Sequence, residues 1–171
     1  MKKQKHTAGS SLIEIIMVMM LFILFGLTTY TLIHAGGEAQ AKIIAERDAQ
    51  LEARVAINYI NVRLKQNDVR GMIAVYPDGG PTGQNAILIK ERGAYDFDTW
   101  IFHSNGVLKE ALVFPGDPPN DRPGMYKAIA HIEDFSVMRQ EDGTLLYIVT
   151  YISAGRHETL ERVVALRAGT H

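Results

Sequence analysis

Glu14 is the one charged residue in a long apolar segment near the start of the chain. Residues 12–33 read LIEIIMVMMLFILFGLTTYTLI. A helix needs about 20 apolar residues to cross a bilayer, so this segment is long enough. A carboxylate inside such a segment costs a few kcal/mol unless it is paired, and it is therefore a functional-site candidate. The chemistry that Glu14 calls for is a positively charged partner.

The residues that precede the apolar segment are basic. Lys2, Lys3 and Lys5 carry three positive charges, and there is no acidic residue among the first nine. Positive charge beside a hydrophobic segment stays on the cytoplasmic side of a membrane. We therefore expect a single-pass membrane protein with its N-terminus in the cytoplasm and its C-terminal part on the extracytoplasmic side.

Three kinds of N-terminal segment combine a basic leader with an apolar run. A secretory signal peptide has an apolar region of about 7–15 residues and a small-residue cleavage site after it. Residues 39–41 (AQA) could serve as that site, but the apolar run is longer and contains Glu14. A plain signal anchor accounts for the length of the run and leaves Glu14 unexplained. The third kind is cut before the apolar run.

Residues 9–14 (GSSLIE) support the third kind of N-terminal segment, which is cut before the apolar run. These residues resemble the cleavage and methylation motif of type IV pilins and type II secretion pseudopilins. In that family a Gly precedes the cut, the next residue becomes N-methylated, and a Glu lies at the fifth mature position. Gly9, Ser10 and Glu14 occupy those positions, and Ser10 stands where Phe is usual.

The resemblance implies what Glu14 pairs with. Cleavage after Gly9 by a prepilin peptidase creates an α-amino group on Ser10, whose unperturbed pKa near 8 keeps it largely cationic. N-methylation of Ser10 retains that charge. Glu14 lies one helical turn away, and the resemblance implies that it neutralises the N-terminus of an adjacent subunit during assembly. The alternative is a Glu14 that reaches to the cytoplasmic interface without a partner.

Gly9 has a physical reason of its own in this scheme. A peptidase at the membrane surface must approach the backbone closely, and the missing Cβ of glycine permits this.

The rest of the chain predicts an α+β fold. One helix is expected from about residue 11 to residue 65, and Gly36-Gly37 is where it would kink; two helices joined by a loop are the alternative. From residue 72 the apolar period becomes two, which predicts antiparallel strands. The expected organisation is a leader (1–9), a membrane or filament-core helix half (10–35), an amphipathic helix half (36–67) and a globular β domain (68–171).

The strand predictions follow from alternation and turn residues. Asn105-Gly106 predicts a hairpin, residues 141–143 and 154–156 predict the turns of a three-stranded meander, and four prolines make residues 115–124 an irregular loop. The long helix is expected to cross one face of an antiparallel sheet. The predicted strands are residues 72–76, 86–91, 99–103, 107–114, 128–139, 145–153 and 159–166.

Composition and motifs disfavour an enzyme. The chain has no cysteine and a formal net charge of -1, which gives no electrostatic reason for it to bind nucleic acid. The histidines form no metal-ligand pair at helical spacing, and no nucleophile or phosphate-binding motif is present. Asp117 and Asp121 could supply oxygen ligands to calcium, but no third and fourth carboxylate lies nearby, and a solvated loop explains them better. We assign no catalytic residue, metal or cofactor, and we interpret the alternating aromatic residues as sheet packing: Trp100, Phe102, Tyr147 and Tyr151.

The expected function is therefore structural. We expect a subunit of a type IV pilus-like or type II secretion pseudopilus filament whose partners are the prepilin peptidase, the membrane and other pilin subunits. The long body is loosely similar to minor pseudopilins of the J type and to the F-position protein of competence pili. The alternative is a membrane-anchored extracytoplasmic binding domain that does not assemble. Export of protein, uptake of DNA and adhesion all stay open as uses of the filament.

Overall fold

The structure is a computed structural model of the sequence. It describes residues 8–77, 83–93 and 95–166, with side chains described from Leu12 onward. In these residues one long helix precedes eight β-strands. The predicted α+β fold, with an N-terminal helix followed by antiparallel strands, is confirmed.

A single helix, α1 (Ala8–Gln66), accounts for the whole N-terminal part of the described chain. It continues without interruption through Gly36 and Gly37, so the one-helix prediction is confirmed and the two-helix alternative is wrong. Two glycines together cost a helix only about 2 kcal/mol, which their many helical neighbours offset. The chain divides into two compact units, Met1–Ile44 and Ala45–His171.

Within the second unit, α1 is amphipathic because apolar residues recur every three or four positions. Ala53, Ala56, Ile57, Ile60 and Leu64 are all buried. They lie on one side of the helix and pack on the strands that follow.

The strands form two antiparallel sheets rather than the single sheet expected. A five-stranded sheet has its strands in chain order, and a three-stranded sheet forms the predicted meander. The first sheet contains β1 (Ile73–Tyr76), β2 (Ala86–Glu91), β3 (Phe97–Ser104), β4 (Val107–Val113) and β5 (Lys127–His131), and the second contains β6 (Asp134–Arg139), β7 (Leu145–Ser153) and β8 (Arg156–Val164).

The strand predicted over residues 128–139 is wrong, because the chain changes sheets in its middle. The backbone N–H of Ile132 donates to the carbonyl of Gly106 in the β3–β4 turn at 3.1 Å. The next N–H, of Glu133, donates to the carbonyl of Thr150 on β7 at 2.9 Å. Two consecutive residues are thus tied to different sheets, which ends β5 and begins β6.

One hydrophobic core joins the helix to both sheets. Buried side chains of α1, β1–β5 and β6–β8 form a continuous cluster that includes Tyr147 and Tyr151. A second cluster, with Trp100 and Phe102, lies on the other face of the five-stranded sheet. All four of these aromatic residues are buried, as their alternation predicted.

The proline-rich loop between β4 and β5 is fixed to the outer face of the five-stranded sheet. The indole N–H of Trp100 donates to the carbonyl of Asp117 at 3.1 Å, and the N–H of Gly116 donates to Asp98 at 2.9 Å. Lys109, a buried residue of β4, donates to Asp121 at 2.5 Å. A loop with few backbone donors is therefore held mainly by side chains of the sheet.

The Asn105-Gly106 turn offers a test of the fold. Gly106 has φ of +74°, where an L-residue with a Cβ is strained. Gly106→Ala should lower the free energy of unfolding by about 1–2 kcal/mol. Urea unfolding of the full chain in detergent, followed by the fluorescence of Trp100, measures this change.

Gly93→Ala is the matched control, because Gly93 lacks a positive φ and its added Cβ would meet nothing within 4 Å. Equal effects of the two substitutions would contradict the turn assignment.

Candidate functional site

The predicted processing and assembly residues all lie at the start of α1. Gly9 and Ser10 are in helical backbone, and the side chain of Ser10 lies outside the described part of the chain. Glu14 follows Ser10 by one helical turn. Its neighbours Leu12, Ile13 and Ile15 are all exposed. Among the described side chains, none forms an ion pair or hydrogen bond with Glu14, so within that part of the chain the carboxylate has no partner on an apolar helical surface.

The surface around Glu14 suits a lipid environment. Among the described residues, one helix is long and apolar enough to cross a membrane, and the side chains of its most apolar window are exposed. The hydroxyls of Thr28 and Thr29 donate to the carbonyl of Phe25 at 2.9 and 2.8 Å. These bonds satisfy polar groups that lipid cannot, as is usual for hydroxyl residues of membrane helices.

The apolar segment ends in polar and aromatic residues. Tyr30 and His34 are in edge-to-face contact with ring centroids 6.0 Å apart. His34 also lies 3.5 Å from the carboxylate of Glu38. Aromatic residues that carry a polar group are enriched at membrane–water interfaces. We therefore predict that Tyr30 and His34 mark the outer edge of the membrane.

A second polar constellation, which the sequence analysis missed, lies where α1 crosses the five-stranded sheet. Tyr59 donates to Oε2 of Glu110 at 2.5 Å. The guanidinium of Arg63 lies 2.6 Å from Glu110 and 3.2 Å from Glu91. Thr99 donates to Glu91 at 3.0 Å. We call these five residues the Arg63 network.

Charge and burial in the Arg63 network favour fixed protonation states. Burial raises the pKa of Tyr59, and its hydrogen bond to Glu110 raises it further. Burial lowers the pKa of Arg63, but the Glu110 carboxylate outweighs this effect and the net shift is upward. Tyr59 thus stays neutral and Arg63 stays charged, so the network ties the helix to β2, β3 and β4.

A pattern in the strands pointed to this network. Glu91 and Glu110 each come two residues after a buried apolar residue, Ile89 and Leu108, on the same face of the sheet. A carboxylate on the buried face of a sheet needs a cation as its partner. Arg63 is the basic residue on the face of α1 that packs on this sheet.

In the loop between β4 and β5, Asp121 pairs with a buried cation, Lys109. Oδ1 of Asp121 accepts from Lys109, and Oδ2 accepts from the hydroxyl of Ser104 at 2.7 Å. Hydrogen bonds from Lys109 and then Ser104 lower the pKa of Asp121. Lys109 also lies 4.3 Å from the ring centroid of Tyr126. Within the described residues no group of three potential ligands could hold a metal ion, and Asp117 joins the loop contacts through its backbone.

These features define an α+β protein with one helix that is long and apolar enough for single-pass membrane anchoring. The chain belongs to the family described as a domain of unknown function, DUF4860, whose model matches residues 51–151. No curated protein and no solved structure matches the chain. The matched range begins in α1 and ends in β7, so it includes the whole Arg63 network and excludes the apolar segment.

The Arg63 network can be tested by removing its cation. Arg63→Met leaves two partly buried carboxylates without their counter-ion, and should lower the free energy of unfolding by about 2–3 kcal/mol. Arg162→Met is the matched control, because Arg162 is exposed and its guanidinium donates to the neutral side chain of Asn58, at 3.3 Å, rather than to a carboxylate. The control should change stability by less than about 0.5 kcal/mol. Equal losses in urea unfolding would contradict the assignment.

Alkaline pH tests the burial of Tyr147. Burial raises the pKa of its phenol to about 12, against about 10 in the unfolded chain. The neutral phenol is the form that the fold favours, so its contribution is complete below pH 10 and is lost as the pH rises through 12. Urea midpoints measured between pH 9 and pH 12 should fall less steeply in Tyr147→Phe. The exposed Tyr95→Phe is the control, and an unchanged slope in Tyr147→Phe would refute the prediction.

Proposed function

We propose that this protein is a structural subunit of a type IV pilus-like or type II secretion pseudopilus filament. A prepilin peptidase would process it after Gly9. The observation that carries the proposal is Glu14, five residues past Gly9 in an apolar helix whose described side chains offer it no partner. The continuous helix that joins this segment to an α+β domain supports the same proposal.

The chemistry of processing supplies what Glu14 lacks. Hydrolysis of the Gly9–Ser10 bond creates an ammonium at the start of the helix, and N-methylation of Ser10 leaves its charge in place. Two opposite charges in a low-dielectric setting attract strongly, but both must leave water. The pair is thus favourable where the geometry is close. Pairing between the amine of one subunit and Glu14 of the next would fix the axial register of the filament.

The proposed setting is a cell membrane. The basic leader favours a cytoplasmic N-terminus, and the β domain would then face the extracytoplasmic side before assembly. Partners are the prepilin peptidase and other pilin or pseudopilin subunits. A minor, initiating position in the filament is the finer form of this proposal, supported by the size of the β domain.

A membrane-anchored binding domain that never assembles is the alternative. The observation that favours it is an open cleft of about 450 Å³ beside the Arg63 network. In that case Glu14 has no partner to lose, so the two functions differ in what a substitution of Glu14 does.

Glu14→Ala tests the proposal. The variant should insert into membranes at the normal level, because removal of a charge favours insertion. Its co-purification with pilin-type partners from the native membrane should be abolished. Glu38→Ala is the matched control on the same helix, outside the apolar segment, and should assemble normally. Normal assembly of Glu14→Ala would contradict the pairing, whereas a wild-type chain that co-purifies with no pilin-type partner would favour the anchored binding domain.

A further inference from the structure

The helix α1 carries an apolar surface that its own domain does not cover. Leu51, Val55 and Val62 are 57, 49 and 48% exposed. Together with the exposed Asp48 they follow steps of three, four and seven, which place them on one face of the helix. This face is opposite the one that packs on the sheets. We call these four residues the outer stripe.

A cleft beside β4 and β5 is open on the same unit. Its apolar walls include Leu112 and Met125, which are 59 and 58% exposed. Arg63, Glu110 and Lys127 supply charged groups at its margin, and its volume is about 450 Å³. The cleft continues the sheet face on which α1 already packs, since Arg63 and Glu110 belong to both. We call it the β4–β5 cleft.

The outer stripe contains a negative charge, and the β4–β5 cleft has a positive charge at its margin. Lys127 lies 5.9 Å from the ring centroid of Tyr59 and has no carboxylate partner among the described residues. Asp48 likewise has no cationic partner within that part of the chain. A helix with an apolar stripe and one unpaired acidic group thus matches a cleft in which Lys127 is basic and unpaired, since Arg63 is already paired with Glu91 and Glu110.

We propose that the outer stripe of one copy of this chain docks in the β4–β5 cleft of a second copy. An amphipathic helix in an apolar groove is a common mode of recognition, with anchors at the spacing seen here. The two surfaces do not share residues, so the contact is head-to-tail and repeats along an open assembly. This inference rests on the proposed filament function.

The absence of cysteine from the chain allows a direct test. Val55→Cys and Met125→Cys are expressed as full chains in the native membrane, separately and together, and mild oxidation is applied. A disulfide-linked dimer should form only when both variants are present. Val55→Cys with Glu141→Cys is the matched control, because Glu141 is exposed and lies in the β6–β7 turn, outside both surfaces. It should give no dimer.

Charge reversal provides a second readout. Asp48→Lys should reduce the yield of the Val55–Met125 dimer by about fivefold, because two like charges then meet. Lys127→Asp should do the same, and the combination of both reversals should restore the yield. A loss that the combination does not restore would contradict the pairing of these two charges.

The outcomes separate this inference from the proposed function. If no dimer forms while the chain is cut after Gly9 and assembles in a Glu14-dependent way, the surface assignment is wrong and the function stands. Absence of the dimer together with an uncut chain overturns both. A dimer of Val55→Cys alone shows a two-fold contact, and a disulfide from Val55→Cys to a different protein shows another occupant. Either result overturns docking between copies in the cleft.

Discussion

Burial of one face of α1 against both sheets is the interaction on which the β domain depends. Ile57, Ile60 and Leu64 belong to the single core cluster that also contains side chains from the five-stranded and the three-stranded sheet. Each sheet alone has few strands and an apolar face that needs a cover. The Arg63 network ties the same helix to the sheet with charge, and the phenol of Tyr147 donates to the carbonyl of Ile57 at 3.4 Å. The helix is thus the element that makes one domain of two sheets.

The same helix changes its chemistry along its length. Near the N-terminus it is apolar on every side, which suits lipid or the packed core of an assembly. In the β domain it is apolar on the buried face and carries a second, narrower stripe on the other. Glu14 interrupts the apolar surface of the N-terminal part. Because an unpaired carboxylate is costly in lipid, such a residue is a candidate for a functional role. The proposed cleavage after Gly9 would create an ammonium group on Ser10, one helical turn from Glu14, which could pair with a carboxylate and so offset this cost.

Local patterns predicted the elements well and their arrangement less well. The alternation of apolar residues and the turn residues placed β2 and β7 at the bounds observed, and aromatic alternation identified Trp100 and Tyr147 as buried. The break at Ile132 was missed because no Gly or Pro marks it; two backbone hydrogen bonds to different sheets cause it. The Arg63 network was missed because its members lie far apart in sequence. The apolar segment and Glu14 could be recognised from neighbouring residues in the sequence alone, so the predictions made for them did not depend on the fold.

The mature N-terminus tests the central claim most directly. The chain is purified from the membranes of its native host, and the intact mass and the N-terminal peptide are measured by mass spectrometry. We expect the chain to begin at N-methylated Ser10, and Gly9→Val to retain the leader. A wild-type chain that keeps Met1 would contradict the proposal in favour of a plain anchor, and one that begins at Lys42 would show a secreted protein.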